Sequence, residues 1–269
     1  MLFYNMNDFL KKIIAERRID ISTAKKEVSL GTLQEKLKSS RPIESLAVRL
    51  QSGQAGEHAN IIAEIKRSSP SEGALRPDLD PAKLACEYEK AGAAAISILT
   101  EPRYFQGRDE DIMEARKAVA IPILRKDFTI DPWQVYQSAV LGADVVLLIV
   151  AALELPLLRE LYSAAGESRL ETIIEVHDLP ELETALQFSN AIIGVNNRNL
   201  ATLKTDISTA VKLSSAIPKD RIAIVESGIK SRREMEMFLR LGYRGFLIGT
   251  SLLKAESPGA ALAELIDNK

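Results

Sequence analysis

Residues able to do chemistry recur at the ends of short apolar runs. In the stretch IIAEIKRSSPS, residues 61–71, Glu64 and Lys66 stand two apart, so a strand would project both from the same face. An acid and a base so placed are costly to bury unless they meet each other or a ligand. The plain alternative is an ion pair on an exposed edge strand. The pattern repeats along the chain: Thr100 follows AISIL, Lys126 closes ILRK and precedes Asp127-Phe128, and Glu175 closes TIIE two residues before His177-Asp178. Asn196-Asn197-Arg198 follow IIGV, Glu226-Ser227-Gly228 follow AIV, and Gly249-Thr250-Ser251 follow FLI. Lysine is protonated at neutral pH and can donate a proton or hold an anion. Carboxylates at the same place can carry protons.

Such residues act together only if the fold gathers them. From Ile61 onward the sequence alternates apolar runs with amphipathic stretches, and glycines at Ala91-Gly92-Ala93, Leu141-Gly142-Ala143 and Leu241-Gly242-Tyr243-Arg244-Gly245 stand where helices end in a left-handed residue. The runs predict strands at 61–66, 95–99, 121–126, 144–150, 171–176, 191–196, 222–226 and 245–249. Helices are expected at 81–91, 109–119, 132–141, 154–165, 179–188, 206–214, 231–241 and 258–267. The strands are nearly all apolar, as parallel strands covered on both faces should be. Eight βα units in about 200 residues predict an α/β fold, a (β/α)8 TIM barrel, whose active site lies at the carboxyl ends of the strands. An open doubly wound sheet alternates the same elements, but neither GxGxxG nor GxxxxGK[ST] occurs. In a barrel, the glycine turns after the seventh and eighth strands and a short helix at 250–254 would offer backbone N–H groups to a phosphate. Glycine used only for turning is the alternative.

The chain has 269 residues, 46% of them hydrophobic, and a formal net charge of −2. That balance argues against nucleic-acid binding. Cys86 is the lone cysteine, and His58 and His177 are the only histidines, which excludes a disulfide framework and a three-histidine zinc site. With no leader-like start and no run of about 18 apolar residues, a cytoplasmic protein without membrane contact is expected, and a monomer is favoured. Residues 1–60 read as a helical extension of two or three helices packed on a 61–269 barrel within one domain. Phe9, Leu10, Ile13 and Ile14 recur at helical spacing. A helix over 42–50 would present Ile43, Leu46, Ala47 and Leu50. Residues 53–60 read as a polar loop with His58 on the surface.

The strings AEIKRSSPS, ISILTEPRYFQG, ILRKDF, IIEVHD, IGVNNRNL, VESGI and LIGTSLL, in this order, resemble the indole-3-glycerol phosphate synthase family of tryptophan biosynthesis. Arg108 stands where a serine is frequent, and position 250, here threonine, varies. The resemblance implies a carboxy-lyase without cofactor or metal, converting 1-(2-carboxyphenylamino)-1-deoxyribulose 5-phosphate to indole-3-glycerol phosphate, carbon dioxide and water. It implies that Lys126 is the general acid, Lys66 the holder of the substrate carboxylate, Glu64 its orienting partner and Glu175 the general base. Asn196, Arg198 and Glu226 would bind substrate, and Ser69, Ser227, Gly228, Gly249 and Thr250 its phosphate and sugar chain. Phe105 and Phe128 would wall the aromatic ring, Trp133 would pack, and His177 would support the base rather than react. Phosphoribosylanthranilate isomerase, the tryptophan synthase α subunit and a non-catalytic phosphosugar-binding barrel are the competing readings.

Overall fold

The computed structural model describes residues 8–38, 41–52 and 59–266; the surface reading of His58 falls outside them. Three helices come first, α1 Asp8–Glu27, α2 Leu30–Leu37 and α3 Leu46–Ser52. Strand β1 Asn60–Ile65 follows, then a small hairpin of β2 Ser68–Ser69 and β3 Gly73–Ala74. The alternation then runs α4 Pro81–Lys90, β4 Ala95–Leu99, α5 Glu110–Ala118, β5 Ile123–Lys126, α6 Pro132–Leu141 and β6 Val145–Ile149. After a 3-10 turn at Val150–Ala152 come α7 Leu155–Glu167, β7 Glu171–Val176, α8 Leu179–Ala185, β8 Ile192–Asn196 and α9 Ser208–Ser214. The last elements are β9 Ala223–Glu226, α10 Arg232–Arg240, β10 Gly245–Ile248, α11 Thr250–Lys254 and α12 Pro258–Ile266.

The parallel strands close in the order β1-β10-β9-β8-β7-β6-β5-β4. Pairing of β1 with both β10 and β4 removes the edges an open sheet would keep. The fold is therefore the (β/α)8 barrel with a helical amino-terminal segment. Gly142 ends α6 at φ 100°, its N–H bonding the Ala139 and Ser138 carbonyls, a conformation that an L side chain strains. Gly245 differs from the helix-ending glycines: it lies within β10, where a Cβ would meet Leu50 Cδ2 at 2.6 Å.

Several expected boundaries move for identifiable reasons. Strand β5 begins at Ile123, not at 121, because Pro122 has no N–H for the ladder; only its carbonyl is used, by the Ile96 N–H at 2.9 Å. Directly after β1, the two residues of β2 pair antiparallel with β3. Helix α3 starts at Leu46 instead of near Pro42. Ser45 Oγ accepts the Val48 N–H at 3.1 Å, and the Glu171 carboxylate accepts the Leu46 and Ala47 N–H groups at 2.8 and 3.1 Å. Orphan amides of the first turn are thereby satisfied from β7. Leu46 and Leu50 are fully buried against the barrel interior, each burial stabilising by about 1.5–3 kcal/mol.

Because Glu171 opens β7, α3 plugs the amino ends of the strands. Helix α1 reaches the opposite end. Arg17 Nη2 donates to Asp127 Oδ2 at 2.8 Å, Tyr104 Oη donates to Glu16 at 2.9 Å, and Lys25 donates to Asp131 at 2.7 Å. The extension thus spans the barrel from base to mouth.

Candidate active site

A cavity of about 860 Å³ opens at the carboxyl ends of the strands, within the size range of small-molecule sites. Glu64, Lys66, Phe105, Lys126, Phe128, Glu175, Asn196, Arg198, Glu226, Ser227, Gly228, Gly249 and Thr250 all line it. Of the residues expected from sequence, Ser69 is the exception. It does not line the cavity, and its Oγ is buried without a hydrogen-bond partner in the hairpin. Thr100 is also set back, donating to Asp127 Oδ2 at 2.6 Å and accepting from Arg125 Nε at 3.1 Å.

The charges form two groups. Lys66 Nζ lies 2.5 Å from Glu64 Oε1, with the side chains 11% and 5% exposed, which excludes the exposed edge pair. Lys126 Nζ lies 3.2 Å from Glu175 Oε2 and 2.5 Å from Glu226 Oε2, so one ammonium bridges two buried carboxylates. Burial pulls the Lys126 ammonium toward neutrality, but Glu226, Glu175 and Glu64 outweigh it, and its pKa is raised. Burial pushes Glu226 up to about 7, since a single lysine must offset Glu175 as well. Burial also raises Glu175, yet Lys126, His177 and a bond from Asn196 prevail and hold it low.

Gly194 in β8 and Gly249 directly after β10 make room for these acids. A Cβ on Gly249 would stand 2.5 Å from Glu64 Oε1, and one on Gly194 would strike Glu226 Oε1. The mouth is fixed by buried acids in its loops. Glu101 accepts the Arg103, Tyr104 and Phe105 N–H groups at 2.9, 2.7 and 3.1 Å, setting Phe105 against the cavity. Asp127 Oδ1 accepts the Phe128 N–H at 2.8 Å. Ser227 and Gly228 take φ values of 65° and 86°, two successive left-handed residues at the cavity. Asn197 secures the turn, Nδ2 donating to the Ser227 carbonyl at 3.0 Å.

Sequence reasoning missed Ser71, Glu72 and Lys254 at the mouth. Arg198 Nη1 donates to Ser71 Oγ at 3.1 Å and to the Leu203 carbonyl at 2.9 Å, while Lys254 pairs with Glu72 at 2.6 Å. Ser71 closes the SSPS string, Glu72 follows it and Lys254 follows GTSLL, which was the signal available. Trp133 packs as expected, with Nε1 donating to the Val28 carbonyl at 2.8 Å. Among the described residues, no group of three or more His, Cys, Asp and Glu side chains could hold a metal ion, and no helix is long and apolar enough to cross a membrane.

A closed barrel with its charges at the carboxyl ends and glycine turns after its last two strands has the architecture of a (β/α)8 enzyme acting on a small molecule. Solved structures share this fold: KGPDC from Streptococcus mutans superimposes with a TM-score of 0.60 at 16% identity, covering 77% of this chain and 95% of that one. Thiamine phosphate pyrophosphorylase from Pyrococcus furiosus does so with a TM-score of 0.55 at 16% identity, over 78% and 95%. The family model described as indole-3-glycerol phosphate synthase matches residues 10–265. An indole-3-glycerol phosphate synthase of Polynucleobacter asymbioticus is 41% identical over 97% of this chain and 99% of its own length. The corresponding protein of Polynucleobacter necessarius is 39% identical over the same shares. The chain belongs to the indole-3-glycerol phosphate synthase family.

Proposed function

We propose that the chain closes the indole ring of 1-(2-carboxyphenylamino)-1-deoxyribulose 5-phosphate, releasing carbon dioxide and water. The observation that carries this reading is the pair of lysine centres in one cavity, Lys66 with Glu64 and Lys126 with Glu175 and Glu226. The substrate presents a carboxylate, a ketone and a phosphate. Lys66 exchanges Glu64 for the aromatic carboxylate, and the turns at Ser227-Gly228 and Gly249-Thr250 take the phosphate. Between them, Lys126 protonates the ketone oxygen as the ring carbon attacks. Phe105 and Phe128 flank the ring, and Asn196 and Arg198 orient the chain. After decarboxylation, Glu175 carries the proton whose removal accompanies loss of water and restores aromaticity. Helix α1 acts as part of the same unit, Arg17 holding Asp127 directly after β5.

A barrel that only bound sugar phosphates would not need three buried acids and two lysines facing one another, since desolvating each ion costs several kcal/mol. The test is absorbance or fluorescence detection of indole product in metal-chelated buffer. Glu175→Gln should lower turnover by about two to four orders of magnitude. A variant rate close to wild type would move the base elsewhere.

A further inference from the structure

His177 contacts the proposed base but has no step of its own. It follows Glu175 by two residues and its side chain is 13% exposed. Its Nδ1 is 3.0 Å from Glu181 Oε2, and its Nε2 is 3.4 Å from Glu175 Oε1. Glu181, in the first turn of α8, grips the residue twice, because the same Oε2 accepts the His177 backbone N–H at 2.8 Å. Its own N–H is held by the N-cap Asp178 at 2.9 Å. The ring thus stands beside one oxygen of Glu175 while Lys126 takes the other.

The ring stands between two carboxylates: Nδ1 bonds Glu181, while Nε2 makes no hydrogen bond and lies in ion-pair range of Glu175 Oε1 at 3.4 Å, so a protonated ring has a carboxylate on each side. Among the described residues Glu226 has no such second cation, and its Oε1 is buried without a hydrogen bond. Two carboxylates that share one ammonium compete for charge. We propose that His177 is a positioning residue, a standing cation that fixes Glu175 as the ionised base and leaves Glu226 as the acid that takes up the shared proton. This rests on the reading of Glu175 given above and adds the reason it, rather than Glu226, serves as base.

The charged groups facing the ring are Glu175 from β7 and Glu181 from α8, with Lys126 of β5 beyond Glu175. The 3-10 turn Val150–Ala152 beside β7 and α8 brings no titratable group. Burial alone would lower the imidazole, but the Glu175 and Glu181 carboxylates on either side override it and raise it to about 10.

The test begins with a spectroscopic readout independent of turnover. The chain holds two histidines, so His58→Gln leaves a single ring for nitrogen-15 NMR. At pH 8, without substrate, both ring nitrogens should show the protonated imidazolium pattern; a neutral tautomer would overturn the proposal even in a fully active enzyme. In kinetics, His177→Asn should lose at least about tenfold more kcat, relative to wild type, at pH 6 than at pH 8, with KM within about twofold. An equal loss at both pH values, or a loss confined to KM, reduces the ring to packing and sinks the idea. Glu181→Gln should give a smaller effect of the same sign, and it carries the test if His177→Asn does not fold. Absence of indole product from wild type, with imidazolium present, would instead remove the synthase reading and leave the charge assignment standing.

Discussion

Replacing Lys126 with methionine keeps the stem and removes the charge between Glu175 at 3.2 Å and Glu226 at 2.5 Å. At an effective dielectric constant of about 20, each contact is worth roughly 5–7 kcal/mol gross. Desolvation of the ions offsets most of that, and removing one partner of a buried pair costs about 3–5 kcal/mol in practice. For a chain of this size, that lowers the melting temperature by roughly 6–20 °C. The loss should depend on pH. Glu226 sits at about 7, so at pH 5 it is already protonated and needs little from Lys126. At pH 8 both carboxylates seek charge, and the variant must bind a proton or bear the repulsion. Melting followed by circular dichroism at pH 5 and 8 should therefore show the larger deficit at pH 8. Adding Glu226→Gln to Lys126→Met should recover part of it, about 0.5–3 kcal/mol of coupling. Ring closure should be abolished with binding largely retained, since the proton is delivered in the transition state. A Lys126→Met protein that melts like wild type at pH 8 would show that the lysine does not hold this pair, and normal turnover would end its assignment as acid.

Glu226→Gln alone tests the raised carboxyl. A carboxyl raised from the usual 4.5 to about 7 contributes stability that is complete below its unfolded pKa and lost as pH rises through 7. The melting temperature of Glu226→Gln should thus gain on wild type between pH 5 and 8, and a constant gap would contradict the shift. Gly249→Ala puts a Cβ 2.5 Å from Glu64 Oε1 and 2.8 Å from its Cβ, so the turn proposed to take the phosphate must shift and KM should rise about tenfold, the equivalent of about 1.4 kcal/mol. An unchanged KM would separate the Gly249 turn from substrate binding. Arg17→Met strips a buried partner from Asp127, whose side chain is 1% exposed, and should cost about 3–5 kcal/mol together with a fall in kcat as the Lys126-Asp127-Phe128 segment loosens. Stability and kcat both at wild-type levels would refute a link between α1 and the acid.

The barrel was legible because its signals are local. Runs such as VVLLI and IIGV are apolar at every position, which fits strands covered on both faces, and Gly142 stands where α6 must reverse. The site was legible at one remove, since a barrel brings every strand end to one mouth and the polar residues only had to be read off those ends. What stayed hidden depends on distant pairing. Nothing near Arg17 indicates that it meets Asp127, 110 residues away, and nothing near Leu46 indicates that Glu171 will cap its helix. Ser69 misled for the same reason. Its hydroxyl-rich neighbourhood resembles an anion loop, but pairing with Gly73 turns the segment into a hairpin whose later residues, Ser71 and Glu72, face the cavity instead.

The geometry also separates the two lysines, which composition alone leaves equivalent. Lys66 has one carboxylate partner at 2.5 Å, and the exchange of that partner for a substrate carboxylate keeps the number of ion pairs constant. Lys126 is bound by two acids, so an incoming anion would add a third negative group around one cation, whereas a neutral ketone would not. In the proposed reaction this charge count favours the carboxylate at Lys66 and the ketone at Lys126. Three acids against two lysines leave one negative charge in excess, which a proton on Glu226 removes, and a charged His177 between Glu175 and Glu181 offsets the charge that Glu181 adds. On this account Glu175 keeps its charge because two cations hold it, Glu226 yields its charge because it shares one, and the division of labour among the acids follows from the number of positive neighbours each has.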